Sequence, residues 1–241
     1  MSNSYFQFKQ FKIEQEKSSM KVCTDSCLFG AWVAHKIEKK IINPSSVLDI
    51  GAGTGLLSLM LAQKSNAIIH AVEIEENSFE QAKENFASSP WHQRMRAFHQ
   101  DIKEWENKLK YDLIISNPPF YENDLKSNHA NKNLAKHHDG LTLKELIQSI
   151  KNNMSGNGNF ATLLPYHRVA GFADAAMENG FYVQEELLVK QNPKHSFFRG
   201  ILLFGKKEKS KIHYELTIKN EQGKYTNEFQ ELLKDYYLKQ M

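Results

Sequence analysis

Apolar and polar positions along this chain first alternate, then recur at helical spacing, and then settle into a regular exchange of short apolar runs and amphipathic stretches. Residues 5–15 (YFQFKQFKIEQ) set aromatic or aliphatic side chains between polar ones, the two-residue period of a half-buried strand. The chain is therefore expected to open with a hairpin or extended lid spanning residues 1–24. From Thr24-Asp25, read as an N-cap, the period changes to that of a helix, with Leu28, Trp32 and His35 to Ile37 on one face until Asn43-Pro44 breaks it.

An α/β alternation follows: strand 46–50 (SVLDI), helix 55–65, strand 67–74 (AIIHAVEI), helix 76–89, strand 95–101 (MRAFHQD), a short helical turn, and strand 111–117 (YDLIISN). The first, second and fourth of these strands are nearly continuous apolar runs, as befits central strands of a parallel sheet covered on both faces. Residues 141–154 predict an amphipathic helix, 159–165 a strand, and 167–180 a helix closed by Gly180. Segments 181–190 and 196–206 are joined only by QNPKH, too short for a crossover, so they are expected to pair antiparallel and complete a seven-stranded sheet. A solvated turn, an extra strand (212–220) and a C-terminal helix (226–240) make up an extension over residues 207–241 beyond a core of 25–206. The expected architecture is a doubly wound, mostly parallel α/β sheet in a single domain.

Composition leaves this picture intact. The 241 residues include 41% hydrophobic and 24% charged side chains, ordinary for a folded domain. No stretch approaches the roughly 20 apolar residues of a membrane span, and the N-terminus lacks an apolar signal core, so a cytoplasmic location is expected. The two cysteines, Cys23 and Cys27, have no second pair at zinc spacing; they read as small buried or half-buried positions, with no metal site and no disulfide. A formal net charge of +3 is compatible with a polyanionic partner without demanding one. The ten histidines are scattered, and none is assigned a catalytic role.

Chemistry enters at the strand ends. Asp49-Ile50-Gly51-Ala52-Gly53-Thr54-Gly55 follows an apolar strand and opens an apolar-faced helix, where backbone must turn sharply and a nucleotide-like ligand can approach exposed amides. A dinucleotide turn would carry a third glycine where Leu56 stands, which disfavours a nicotinamide cofactor. Glu73 ends the second strand, where a carboxylate can accept from both hydroxyls of a ribose, and Asp101 ends the third, where it can accept from an adenine amine or simply cap the next turn. Glycine turn, acid and acid on successive strands point to a nucleoside ligand.

The fourth strand ends in Asn117-Pro118-Pro119-Phe120-Tyr121. Two prolines stiffen the turn and leave carbonyls without neighbouring donors. An exocyclic base amine is a poor nucleophile because its lone pair is delocalised into the ring. Hydrogen bonds from its N–H groups to the Asn117 side-chain oxygen and the Pro118 carbonyl would turn that lone pair outward, while Phe120, with Tyr121 beside it, can stack on a base splayed from its helix. Positioning and electrostatics, rather than a strong base, are expected to dominate.

Phe8-Lys9-Gln10-Phe11, Met20 to Asp25, Gly30-Ala31-Trp32, Leu48 to Gly55, Ser89-Pro90-Trp91 and Asp112 to Phe120 together resemble the bacterial valine-tRNA adenine-N6 methyltransferases. These belong to the amino-methyltransferases of the class I fold, whose N-P-P-[FYW] motif binds the target amine. The resemblance implies a Rossmann-like fold, S-adenosyl-L-methionine as cofactor and a valine-type tRNA as substrate, methylated on the adenine immediately 3′ of the anticodon. It also implies that Lys21 and Thr24 lie near the cofactor, with Asp49, Gly51, Gly53, Gly55, Glu73, Asp101 and Asn117 around it and Asn117, Pro118, Pro119 and Phe120 at the reacting end. Phe120 stands where some relatives carry Tyr, which keeps the stacking face.

Basic residues expected to meet RNA are Lys126, Lys132, Lys136 and His137, with Lys194, His195 and Arg199 at the hairpin and the Lys206 to Lys211 turn; they are expected to cluster. Alternatives stay open at this point: N5-methylation of a protein glutamine, whose amide presents its nitrogen much as a base does, N6-adenine or N2-guanine methylation of ribosomal RNA, or a catalytically silent binding module.

Overall fold

The computed structural model describes residues 3–118 and 141–238. Tyr5–Gln7 (β1) and Lys12–Glu14 (β2) pair antiparallel as the expected opening hairpin. Then come Thr24–Glu38 (α1), Ser46–Ile50 (β3), Leu56–Ala62 (α2), Ile68–Glu73 (β4), Glu76–Ala87 (α3), Met95–His99 (β5) and Tyr111–Ser116 (β6). After residue 141 follow Leu143–Asn153 (α4), Met154–Pro165 (β7), Val169–Glu178 (α5), Tyr182–Lys190 (β8), Phe197–Gly205 (β9), Ile212–Thr217 (β10) and Asn227–Leu233 (α6). Short 3-10 turns occupy His92–Arg94, Ile102–Glu104 and Tyr166–Arg168.

Local chemistry explains most of these boundaries. The Thr142 hydroxyl accepts from the Glu145 amide while the Glu145 carboxylate accepts from the Thr142 amide, a capping box that starts α4. Gly180, at φ +80°, lies just past the end of α5 as expected. The start of α1 differs from expectation: Cys23, not Thr24, holds the cap position, and no side chain caps it. Asp25 is drawn instead into an ion pair described below.

The main sheet has the order β10-β8-β9-β7-β6-β3-β4-β5, with β9 antiparallel to β7 and β8 and the remaining pairs parallel. Alternate residues serve opposite faces. Val47, Ile69, Leu113, Ile115 and Ala161 pack under α1, α2 and α3, whereas Leu48, Ile50, Val72, Ile114 and Phe160 pack under α4 and α5. This is why β3 and β6 read as unbroken apolar runs. On the second face Phe160 stacks on Phe204 with centroids 4.2 Å apart, and Phe181 meets Phe160 edge-on at 5.3 Å.

The sheet has eight strands, not the expected seven, because β10 pairs parallel to β8 in register from Ile212↔Glu185 to Thr217↔Lys190. The pairing covers a strand whose run from Glu185 to Val189 is buried. It also closes a charged contact: Lys36 of α1 lies 2.5 Å from Glu185 Oε2, both side chains 6% exposed. Glu185 Oε2 makes no directional hydrogen bond, so the contact is ionic. The Lys36 ammonium also sits 4.7 Å from the Trp32 ring centre and 4.5 Å from that of Tyr214 on β10.

The C-terminal helix is shorter than expected. After Leu233 the chain turns so that Tyr237 forms an antiparallel bridge with Phe8, and the Lys9 amide donates to the Tyr236 carbonyl at 2.8 Å. Phe8, stacked on Phe11 at 4.5 Å, is fully buried in this seam. Among the described residues no helix is long and apolar enough to cross a membrane.

Candidate functional site

Chain order reverses direction at β3, where β4 and β5 lie to one side and β6 to the other, so the carboxyl ends of β3 and β6 frame a crevice. Ile50 pairs with Ser116 and with Val72. The glycine turn, Glu73 and Asn117 therefore leave three neighbouring strands at the same level.

The turn is built from left-handed backbone: φ is +70° at Gly51, +56° at Gly53 and +79° at Gly55. A Cβ at Gly51 or Gly53 would meet nothing within 4 Å, so the space beside both residues is open to a ligand, while the Gly51 amide itself donates to the Val72 carbonyl at 2.9 Å. Gly55 serves packing instead, since a Cβ there would lie 2.4 Å from the Phe86 ring. The Glu73 carboxylate spans the crevice floor, its Oε2 accepting from the Gly53 amide at 2.8 Å and its Oε1 from the Glu75 amide at 3.0 Å. Each oxygen retains a lone pair for a further donor such as a ribose hydroxyl.

Asp49 works from beneath. It is fully buried, and its Oδ2 accepts from the Ser58 amide at 3.1 Å and the Ser58 hydroxyl at 2.7 Å, pinning the start of α2 to the end of β3. Burial pushes its carboxyl up to about 7 against the Ser58 hydrogen bonds, with the Glu73 charge adding to the rise. It supports the turn; its contact with a ligand would run through that turn. Asp101 caps the Ile102–Glu104 turn through the Lys103 amide at 2.9 Å, with the Lys103 ammonium 3.3 Å from its other oxygen.

Asn117 emerges from β6 with its side-chain Nδ2 donating to the Ser26 hydroxyl at 3.0 Å. That bond engages the amide nitrogen and leaves Oδ1 as the atom able to accept a hydrogen bond from a ligand. Ser26, buried in the first turn of α1, is a residue that sequence reasoning missed; only the structure brings it to Asn117. Ser26 is itself held. Its amide donates to Asp25 Oδ1 at 3.1 Å, and Asp25 Oδ2 pairs with Arg199 Nε at 2.7 Å. Burial alone would raise the Asp25 carboxyl, but hydrogen bonds from Cys23 and Arg199 outweigh it and hold it below its ordinary value. Cys23, exposed rather than buried, sets its sulfur 3.0 Å from the Ser26 hydroxyl; Cys27 is buried, and both thiols are free. Pro118 is buried next to Asn117, while Pro119 and Phe120 lie outside the described residues.

Lys21 is exposed and spends its ammonium on the Gln15 carbonyl, bracing the strap between β2 and α1. Thr24 is exposed at the first residue of α1, two residues from Ser26. The hairpin is tied to the glycine turn by Asn85 of α3, which bonds the Glu14 amide and carbonyl and the Thr54 carbonyl, each at 2.9 Å.

The expected basic cluster divides. Lys194 and His195 are exposed at the site end, and Arg199 is engaged with Asp25. Lys206, Lys207 and Lys209 line a hollow of about 500 Å³ with Gly156 and Gly158, at the far end of the nine-residue β9, about 30 Å away. Antiparallel β9 carries the chain from one edge of the sheet to the other, which separates them. Lys126, Lys132, Lys136 and His137 lie outside the described residues. Among the described residues no group of three or more His, Cys, Asp or Glu side chains is placed to hold a metal.

The architecture recurs among methyltransferases. An Agrobacterium tumefaciens structure described as a predicted O-methyltransferase superposes with TM-score 0.65 at 17% identity, covering 88% of this chain and 96% of the other. A Listeria monocytogenes structure, provisionally titled a class I S-adenosylmethionine-dependent methyltransferase, gives 0.61 at 18% identity over 84% and 67%. These likenesses establish the fold. A family model described as the methyltransferase small domain matches residues 31–158, the span from α1 through β6 into β7. A Flavobacterium johnsoniae protein named tRNA1(Val) (adenine(37)-N6)-methyltransferase is 42% identical over 97% of this chain and 99% of its own length. With sequence likeness running through hairpin, crevice and tail alike, the chain is a methyltransferase and belongs to the tRNA1(Val) (adenine(37)-N6)-methyltransferase family.

Proposed function

We propose that this protein transfers the methyl group of S-adenosyl-L-methionine to the exocyclic N6 of adenine 37 in a valine tRNA, the reaction named for its relatives. The observation that supports the reading is Asn117: its amide nitrogen donates to Ser26, which leaves its oxygen as the acceptor, next to a glycine turn open to a ligand. A tRNA substrate puts the reaction in the cytoplasm.

The open space beside Gly51 and Gly53 and the carboxylate of Glu73 fit a nucleoside with ribose hydroxyls. Asp101 has lone pairs to take an adenine amine, and in this reading Lys21 and Thr24 lie near the cofactor. S-Adenosylmethionine, when bound, supplies an electrophilic methyl on a positively charged sulfur. Asn117 Oδ1 and the Pro118 carbonyl accept the two N–H groups of the target amine, which rotates its lone pair out of conjugation. Neither group is a base; the amine loses its extra proton after transfer, and catalysis comes from orientation. Pro119 stiffens the turn and Phe120 stacks on the splayed base in this reading.

Incubation of the purified protein with methyl-labelled cofactor and either unmodified tRNA or a protein fraction tests it. Label in tRNA, recovered as N6-methyladenosine by nucleoside mass spectrometry, is the expected outcome. Label confined to a glutamine-bearing protein band would overturn the choice of substrate, and N2-methylguanosine the choice of base.

The Ser26 contact makes a narrower prediction. Ser26→Ala should lower kcat by about 2- to 13-fold, the effect of one neutral hydrogen bond, with cofactor affinity unchanged. An equal loss in cofactor binding would mean that Ser26 shapes the helix start rather than Asn117.

A further inference from the structure

On the reading that the substrate is a tRNA loop, a second set of residues beside Asn117 has the chemistry of a base-stacking surface. β7 ends at Pro165, paired with Arg199 near the start of β9, so the Tyr166–Arg168 turn and Phe197 share the crevice edge. Tyr166 is 42% exposed, unusual for so large a ring, and its centroid lies 5.4 Å from that of Phe197 at a tilt of 45°. The Lys190 ammonium sits over Phe197, 4.3 Å from the ring centre. His167, Lys194 and His195 are exposed around the pair.

Neither segment, 165–168 or 190–199, contains an Asp or Glu. Among the described residues the acids that approach are Asp25, neutralised by Arg199, and Glu215, 3.5 Å from Lys190 and thus beside a cation. An exposed ring offers a π-face to any base, and an excess of cations over acids suits the phosphates that accompany it. β7 and β9 are the next two strands beyond β6, so the pair lies about 10 Å across the sheet from Asn117, within reach of nucleotides adjoining the target.

We infer that Tyr166, backed by Phe197 and Lys190, is the platform on which a single-stranded loop base neighbouring the methylated adenine stacks, with Lys194 and His195 meeting its backbone. The platform supplies affinity for RNA and takes no part in the transfer itself.

Initial rates of Tyr166→Ala and Phe197→Ala with a valine tRNA transcript test this. Loss of one stacked base should raise KM for tRNA by about 5- to 150-fold, with kcat at saturating tRNA, cofactor affinity and melting temperature unchanged. Tyr166→Trp should restore the wild-type KM, and Lys194→Ala should weaken binding less while flattening its salt dependence. An unmoved KM in both alanine variants, while the wild type methylates tRNA, overturns the platform alone. Absence of transfer to tRNA by the wild type overturns the substrate reading and the platform with it.

Discussion

Replacing Asn117 with alanine should reduce turnover on the order of 100- to 1000-fold while leaving the affinity for S-adenosylmethionine, read by calorimetry, close to wild type. The reason is positional. In the proposed reaction the target amine is unreactive until its lone pair leaves conjugation, and Asn117 Oδ1, held by the bond from Nδ2 to Ser26, is the acceptor proposed to select the reactive orientation. The glycine turn and Glu73, proposed to hold the cofactor, follow β3 and end β4 and are not touched by the change. Asn117→Asp keeps an acceptor at the same place and should retain more activity than the alanine variant. Labelled-methyl transfer to tRNA gives the measurement; an alanine variant within threefold of wild type would remove Asn117 from the reaction.

The largest expected effect on stability lies away from the crevice, at Lys36 and Glu185. Both are 6% exposed, and the ammonium is enclosed by the carboxylate and the rings of Trp32 and Tyr214. Glu185→Ala strands a buried cation and should destabilise the fold by about 3–5 kcal/mol in urea unfolding. The paired replacement Lys36→Met with Glu185→Leu should recover most of that loss, because no desolvated charge then remains. A loss below about 1 kcal/mol in the single variant would mean that water reaches the pair.

Much of this fold could be read from the chain because burial on both faces leaves continuous apolar runs, as in β3 and β6. The QNPKH link was likewise enough to require that β8 and β9 run antiparallel. What escaped was decided by contacts distant in sequence. β10 joins the sheet by covering a neighbour whose buried residues include two glutamates, and nothing in its own pattern names that partner. Residues 234–238 leave the helical path because Phe8 supplies a bridge to Tyr237. In the crevice, glycine spacing and strand-end acids were visible as motifs. Ser26 was not, because a serine inside an apolar helix start carries no signal until Asn117 is set against it. The division of the lysines follows from the reversed direction of β9, legible in principle but overlooked when basic residues are counted along the chain.

The seam between Phe8 and Tyr237 gives the molecule a mechanical property. The beginning and end of the described chain are stitched to each other by a bridge and by the Lys9–Tyr236 bond. Because the bridge is antiparallel, both ends leave it on the same side, so a force that pulls them apart opens the seam bond by bond rather than shearing it. Because Asn85 joins that hairpin to the glycine turn, opening the seam also loads the support of that turn.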